Sequence, residues 1–360
     1  MDTNLKYMPT LRVRQQEIIV LRSFNFENRI YPLLEIVKEY DRSRKEETQR
    51  SFEEIHIELI QNINARKVFV DLPVYLKESG SMKNEVVEFS LKVIGNYNIR
   101  SEYINKLSIL NKKIIPVISS YLLKTGEHGT IQPQFESLRE NYNSIAFRLY
   151  LQTFNIDFPV VQTLARENDY IILDLDQIPS FHLSPQIKPI VAALTRFNVC
   201  TKILLRSAIN TEIQNVRLEH GEVIFEADNS ILETYQYFGT CAFGDYAGIK
   251  KDDLTAGGTI SPGFIYYDAT DNQYYGYKAR IKILSEFENT IVPDVLSSVS
   301  THNMLTSVPL YLTNENSGYN TLLNIGMGGE SGKSQAKFKK IALEHYLFCI
   351  REKIRAGMFD

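Results

Sequence analysis

The sequence predicts an α/β fold of the (β/α)8, TIM-barrel-like type with a C-terminal elaboration. Three observations carry this: eight short runs rich in β-branched and aromatic residues recur over residues 1–250, longer stretches with helical periodicity separate them, and the runs are almost continuously apolar. Alternation of strand and helix implies parallel strands, because a parallel return needs a crossover of a dozen or more residues. Parallel strands covered on both faces lack the polar alternation of a half-exposed sheet. Eight such units in about 250 residues fit a closed barrel. An open doubly wound sheet is the competing architecture, but it usually opens with a glycine-rich turn, and Arg12–Glu17 (RVRQQE) has no glycine.

In chain order the strand runs are Thr10–Val13, Ile30–Val37, Val68–Leu72, Ile114–Ser119, Ile145–Leu151, Tyr170–Leu175, Lys202–Leu205 with Arg206, and Gly239–Phe243. Helical spacing of apolar residues places helices at Gln15–Phe24, Arg44–Ile63, Lys83–Leu110, Phe135–Asn143, Phe158–Asn168, Ser184–Phe197 and Ser230–Tyr237. The pattern changes after Asp245. Gly263–Asp268 and Gln273–Ile281 read as a tyrosine-rich hairpin joined through Ala269–Asn272. A helix is expected at Ile291–Met304, a Gly/Asn/Ser-rich loop from Thr313 to Ser331, and a long amphipathic helix from Lys333 to Ala356. Residues 1–250 are therefore taken as the barrel and 251–360 as an elaboration packed on it, with a separately folding unit as the alternative.

Composition narrows the function classes. Over 360 residues, 44% are apolar and 23% charged, which excludes collagen-like, low-complexity and disordered classes. With 40 Lys+Arg against 43 Asp+Glu the formal net charge is -3, so no global basic field drives binding to phosphate backbones. Cys200, Cys241 and Cys349 are dispersed and odd in number, supporting neither a disulfide framework nor a thiolate metal site. The polar start Met1–Pro9 is not an export signal, and no stretch nears the ~18 apolar residues of a membrane span. A cytoplasmic protein without membrane association is expected.

Active sites of barrels lie at the carboxyl ends of the strands. There the sequence places Glu35, Asp71, Arg148, Asp174, Asp176, Arg206 and Asp245. A charge in an apolar run is costly to bury unless it is paired, metal-bound or hydrated. Glu35, Asp71, Asp174, Asp176 and Asp245 are accordingly the candidate catalytic carboxylates, suited to a divalent ion such as Mg2+. Arg148 and Arg206 are candidate clamps for phosphoryl oxygens. Arg12, Arg14 and Glu17 flank the first strand, and Arg12 and Arg14 share a face. The plain alternative for each is a solvated strand end, a cap or half of a structural ion pair.

Other motifs carry less. Gly326–Ser334 (GMGGESGKS) lies between an apolar run, Leu322–Ile325, and a helix, like a phosphate-binding P-loop, but Met327 stands where that spacing needs glycine. Ser331 or Ser334 as a helix cap accounts for it better. The histidines, His56, His128, His182, His220, His302 and His345, have no metal-binding spacing, and no nucleophile elbow is present. Lys333, Lys337, Lys339 and Lys340 form a weak basic track, read first as the solvated start of a helix. The hairpin tyrosines Tyr266, Tyr267, Tyr274, Tyr275 and Tyr277 would stack bases or meet a partner, or else pack inward.

Four segments together resemble the beta protein family: Tyr7–Leu21 (YMPTLRVRQQEIIVL), Ile30–Ile36 (IYPLLEI), Ile171–Asp174 (IILD) and Phe243–Tyr246 (FGDY). The resemblance spans most of the chain in order. It implies a barrel-like α/β fold and a role in antiphage defence or toxin–antitoxin pairing within prophage and satellite loci, alongside a second protein encoded nearby. The matching positions are Arg12, Glu17, Glu35, Asp174, Asp245 and Tyr246. The family's tail tends to carry Trp and paired His, whereas this chain has no Trp and only His345 in its last helix, so no tail residue is carried over.

Two functions are expected from these readings. One is a defence component whose strand ends bind a phosphate-containing ligand such as a nucleotide or nucleic acid, with Arg12, Glu17, Arg148, Arg206 and Tyr246 as ligand-binding residues. The other is a non-enzymatic partner of a toxic effector, using the hairpin and last helix as its interface. A metal-dependent phosphodiesterase or nuclease is a third reading.

Overall fold

Eight parallel strands close a ring in a computed structural model that describes residues 1–39, 50–73, 83–179, 185–251 and 261–360. They are β1 (Tyr7–Arg12), β2 (Leu33–Glu35), β3 (Val68–Asp71), β4 (Ile114–Ile118), β5 (Ala146–Tyr150), β6 (Tyr170–Asp174), β7 (Thr201–Leu205) and β8 (Ala242–Asp245). They stand in sequence order around the ring. β8 returns to β1 through the register Tyr7↔Phe243 and Pro9↔Asp245, and β1 pairs with β2 through Arg12↔Glu35. The predicted TIM-barrel-like class is the observed one, and every predicted run contributes a strand. Two bounds differ. β1 begins at Tyr7 because its first residues pair with β8, and β8 begins at Ala242 because Gly239 (φ 67) ends the preceding turn.

The two-residue period of each strand sorts the runs into two cores. Met8, Leu33, Phe69, Val117, Ile172 and Ile203 fill the barrel interior. Their neighbours Leu11, Leu34, Val70, Phe147, Leu173 and Leu204 face the surrounding helices. The expected helix over Lys83–Leu110 is two, Asn84–Ile94 and Tyr97–Asn105, broken at Gly95, with the Asn96 side chain accepting from the amide of Asn98. Parts of the helices expected from Arg44 and from Ser184, and His182, lie outside the described residues.

Beyond β8 the chain forms the expected hairpin, β9 (Gly263–Asp268) and β10 (Gln273–Lys278), in antiparallel register from Gly263↔Lys278 to Asp268↔Gln273. Its tyrosines face inward. Tyr266 stacks on His345 with centroids 4.7 Å apart, and Tyr267 meets the ring of Tyr346 at 4.6 Å. The expected loop from Thr313 to Ser331 contains a helix, Ser317–Gly326, begun by the Asn316 side chain accepting from the Tyr319 amide. Leu322–Ile325 is therefore helical, and the glycine-rich segment after it joins two helices.

The final helix, Gln335–Arg355, starts at Ser334, whose hydroxyl accepts from the Lys337 amide. It packs on the first helix, Gln15–Ser23, and on β9. It thus takes the position of a barrel's eighth helix, and the hairpin belongs to the connection between eighth strand and eighth helix. Gly248 makes the close approach at the start of this connection. Its φ is 72, and a Cβ there would lie 2.5 Å from Tyr346.

Candidate functional site

The inward parity that fills the lower barrel with apolar side chains puts Arg12, Glu35, Asp71, Arg148 and Asp174 together at the carboxyl ends of the strands. Arg148 is wholly buried. Its Nη1 donates to Glu35 Oε1 at 3.1 Å and to Asp71 Oδ2 at 2.7 Å, while Nε and Nη2 donate to Asp174 Oδ2 at 3.0 and 2.7 Å. Arg12 Nε reaches the other oxygen of Glu35 at 3.4 Å. Tyr246, one residue beyond β8, donates its hydroxyl to Glu35 Oε1 at 3.1 Å and accepts from Arg148 Nη2 at 3.3 Å. Tyr121 donates to Asp71 Oδ1 at 2.5 Å. Burial pushes the Asp71 carboxyl above its usual range, opposed by Arg148, and drives the hydroxyls of Tyr121 and Tyr246 well above theirs.

The remaining candidates lie elsewhere. Asp245 has the opposite parity and faces out of the barrel. It accepts from Tyr7 at 2.6 Å, from the Ala247 amide at 2.7 Å and from Tyr346 of the final helix. Burial raises its carboxyl to about 6 in spite of these donors. Arg206 also points outward, giving Nε to the Ile178 carbonyl at 2.8 Å and pairing with Asp228 at 2.8 Å. Asp176 adopts φ 53 and turns its 53% exposed side chain toward Lys251 at 2.8 Å. Glu17 lies buried under Arg14, 2.5 Å away, with Lys339 at 3.6 Å. Asp176, Asp245, Arg206 and Glu17 are therefore not members of the ring.

The ring does not fit the expected Mg2+. A guanidinium already stands where the carboxylates converge and takes the oxygens a cation would need. Among the described residues no group of three or more His, Cys, Asp or Glu is arranged to hold a metal ion. The glycine-rich segment fares likewise, because it holds a carboxylate of its own chain. Glu288 Oε1 accepts from the Gly332 amide at 2.7 Å and from Ser331 at 3.0 Å. The basic track is paired too: Lys333 with Glu288, Lys337 with Glu330, Lys339 with Glu17 and Lys340 with Glu344. His345 is core, bonded to the Tyr267 carbonyl at 2.8 Å and lowered by burial to about 4.

A cleft of about 1030 Å³ opens among the connections that follow the strands, and none of the ring residues lines it. Its walls are residues that follow β1, β2, β3, β7 and β8, with the start of the final helix and β9. Its described lining includes six cations, Arg14, Arg22, Lys38, Lys83, Lys250 and Lys339, against the carboxylates of Glu17 and Glu85. Sequence reasoning singled out only Arg14 and Lys339 of these, because the others sit on separate connections that only the closed barrel gathers. It also missed Tyr7, Tyr121 and Tyr346. Tyr121 has the inward parity of Ile115 and Val117, a signal present in the sequence.

Fold and site together define a (β/α)8 barrel whose mouth is plugged by a buried arginine–carboxylate ring, with a basic cleft among its connections. The Beta protein family model matches residues 7–350, and the chain belongs to that family. No curated protein matches it. No helix among the described residues is long and apolar enough to cross a membrane.

The ring and its neighbour can each be tested by substitution. Removing Arg148 strands three buried carboxylates, so Arg148→Met should lower unfolding free energy by about 3–5 kcal/mol in urea melts. Asp245 binds its proton more tightly in the folded protein, at about 6 against 3.8 unfolded, so its contribution is fully present below 3.8 and is lost as pH rises through 6. Between pH 7 and pH 5 the wild type should gain about 1.4 kcal/mol relative to Asp245→Asn; parallel stability profiles for the two proteins would contradict this.

Proposed function

We propose that this protein binds a phosphate-bearing ligand in the basic cleft at the barrel mouth, as a component of an antiphage-defence or toxin–antitoxin system that acts with a protein encoded nearby. The observation that carries the reading is the charge of the cleft. A chain of net charge -3 gathers six cations against two carboxylates around one cavity, and a concentration of one sign in a cleft draws and holds the opposite charge. The location supports it as well, since connections after the seventh and eighth strands of such barrels commonly contribute to phosphate sites.

The reading is one of binding rather than hydrolysis. General acid–base chemistry needs a carboxylate with a lone pair or proton directed at substrate, and the ring's carboxylates are engaged by Arg148, Arg12, Tyr121 and Tyr246. The role of the ring is to fix the strand ends. The setting in defence rests on the family. A partner interface built on the hairpin tyrosines has no support, because Tyr266, Tyr267, Tyr274 and Tyr277 are buried.

The test is thermal shift of the full chain with inorganic pyrophosphate and ATP, repeated with Lys250→Glu. At a hundredfold excess over Kd the melting temperature should rise by about 3 °C, and the charge reversal should remove at least half of that rise. The same variant should weaken protection when cells carrying the complete locus are challenged with phage. An absent shift, or one indifferent to the charge reversal, would contradict the reading.

A further inference from the structure

We infer that the amino-terminal face of the barrel, opposite the mouth, docks an acidic segment of a partner protein. The inference gives the partner of the reading above a place to bind, and it does not depend on a ligand in the cleft. Its basis is a cluster of four cations at the entries of two adjacent strands. Arg66 and Lys67 lead into β3, and Lys112 and Lys113 lead into β4. These strands pair in the register Val68↔Ile114, and the Val68 amide donates to the Lys113 carbonyl at 2.9 Å. Neighbouring strands lie about 4.8 Å apart, so the four residues occupy one small patch. Lys67 closes it by donating its ammonium to the Lys112 carbonyl at 2.5 Å.

Among the described residues none of the four forms an ion pair. Lys113 gives its ammonium to the carbonyls of Gln61 and Ile63, at 3.3 and 2.6 Å, neutral groups that leave its charge uncompensated. Burial, and after it the charge of Arg66, holds the Lys67 ammonium below its usual range, and burial does the same to Lys113. The carboxylate that acts on Lys67, that of Asp2, is already engaged by the hydroxyls of Tyr31 and Tyr170 at 2.9 and 3.0 Å. Like charges gathered without a counter-ion of their own attract an external anion, and Arg66 and Lys112 are exposed to meet it. The surroundings select the kind of anion. Ile109, in the short turn Ser108–Leu110 that leads to Lys112, is 76% exposed. An aliphatic side chain beside cations serves a protein partner, which brings apolar side chains along with its carboxylates. A sugar–phosphate backbone would leave it unused. Neither connection, 61–67 or 108–113, contains an aromatic residue on which bases could stack.

The experiment is fluorescence anisotropy with the full chain and a labelled peptide of alternating glutamate and leucine, with an all-glutamate peptide and single-stranded DNA as competitors. The inference expects the mixed peptide to bind more tightly than either competitor. Lys112→Glu should weaken it about tenfold, and Arg66→Gln, which removes a charge without reversing it, about threefold. Both variants should keep the wild-type melting temperature. Ile109→Ser should weaken the mixed peptide and leave the all-glutamate peptide unaffected. An absent signal overturns the inference, and so does binding that Lys250→Glu weakens while Lys112→Glu does not, because the peptide then lies in the cleft. DNA that binds more tightly than the mixed peptide and is lost with Lys112→Glu, or indifference of the mixed peptide to Ile109→Ser, overturns the protein class. The melting shift with pyrophosphate should be the same in Lys112→Glu as in the wild type, so this face and the phosphate-binding reading can fail separately.

Discussion

A wholly buried guanidinium is the constraint on which the top of this barrel depends. Arg148 in an apolar interior would be prohibitively costly alone, and so would Glu35, Asp71 and Asp174. Together they come from β2, β3, β5 and β6 and satisfy one another within hydrogen-bonding distance. Arg12 from β1 and Tyr246 beyond β8 extend the network, so that six of the eight strands are tied at their carboxyl ends. Arginine suits the position because its planar fork serves several carboxylates at once. Two guanidiniums still face three carboxylates, and the raised Asp71 is where burial of that excess is felt.

A second constraint joins the barrel to its C-terminal segment. Asp245 and Tyr7 face outward from adjacent strands and meet Tyr346 of the final helix. The helix is thereby held against the barrel on the same side as the first helix, and the hairpin packs its tyrosines around Tyr346 and His345. Because the helix runs back from the barrel mouth, its first turns with Lys339 form one wall of the cleft, opposite the first helix with Arg14. The ring ties the strand ends together, and the long eighth connection supplies a wall of the cleft.

Much of this architecture is legible in the amino-acid sequence. The strand runs identify themselves by β-branched content, and most strand-end charges by position. Parity divides those charges further. Counting from Leu33, Phe69, Ile172 and Ile203, which face inward, places Glu35, Asp71 and Asp174 inside and Arg206 outside. The same count from Ala242 puts Tyr246 inside and Asp245 outside. Parity fails at Asp176, where a left-handed backbone turns the chain outward. The cleft is not legible, because Lys38, Lys83 and Lys250 are ordinary surface lysines in sequence, and only ring closure makes neighbours of connections some two hundred residues apart. Nor is the helix Ser317–Gly326, whose two glycines and polar neighbours disguise an amphipathic turn pattern. There Gly318 lets the helix approach the backbone of Ile341, where a Cβ would fall 2.5 Å from its carbonyl.

Arg148 is thus a locked structural cation, separate from the lining of the proposed binding cleft. The most direct measurement of that state is the side-chain 15N–1H spectrum of arginine-labelled protein, with the Arg148 signal assigned through Arg148→Lys. A guanidinium held by three carboxylates should show resolved, unaveraged Nη resonances and an Nε–H that exchanges slowly, with both unmoved by saturating pyrophosphate. Averaged Nη signals with exchange as fast as that of a surface arginine, or a large shift on adding pyrophosphate, would show instead that the ring is open to the ligand and that Arg148 is part of the binding site.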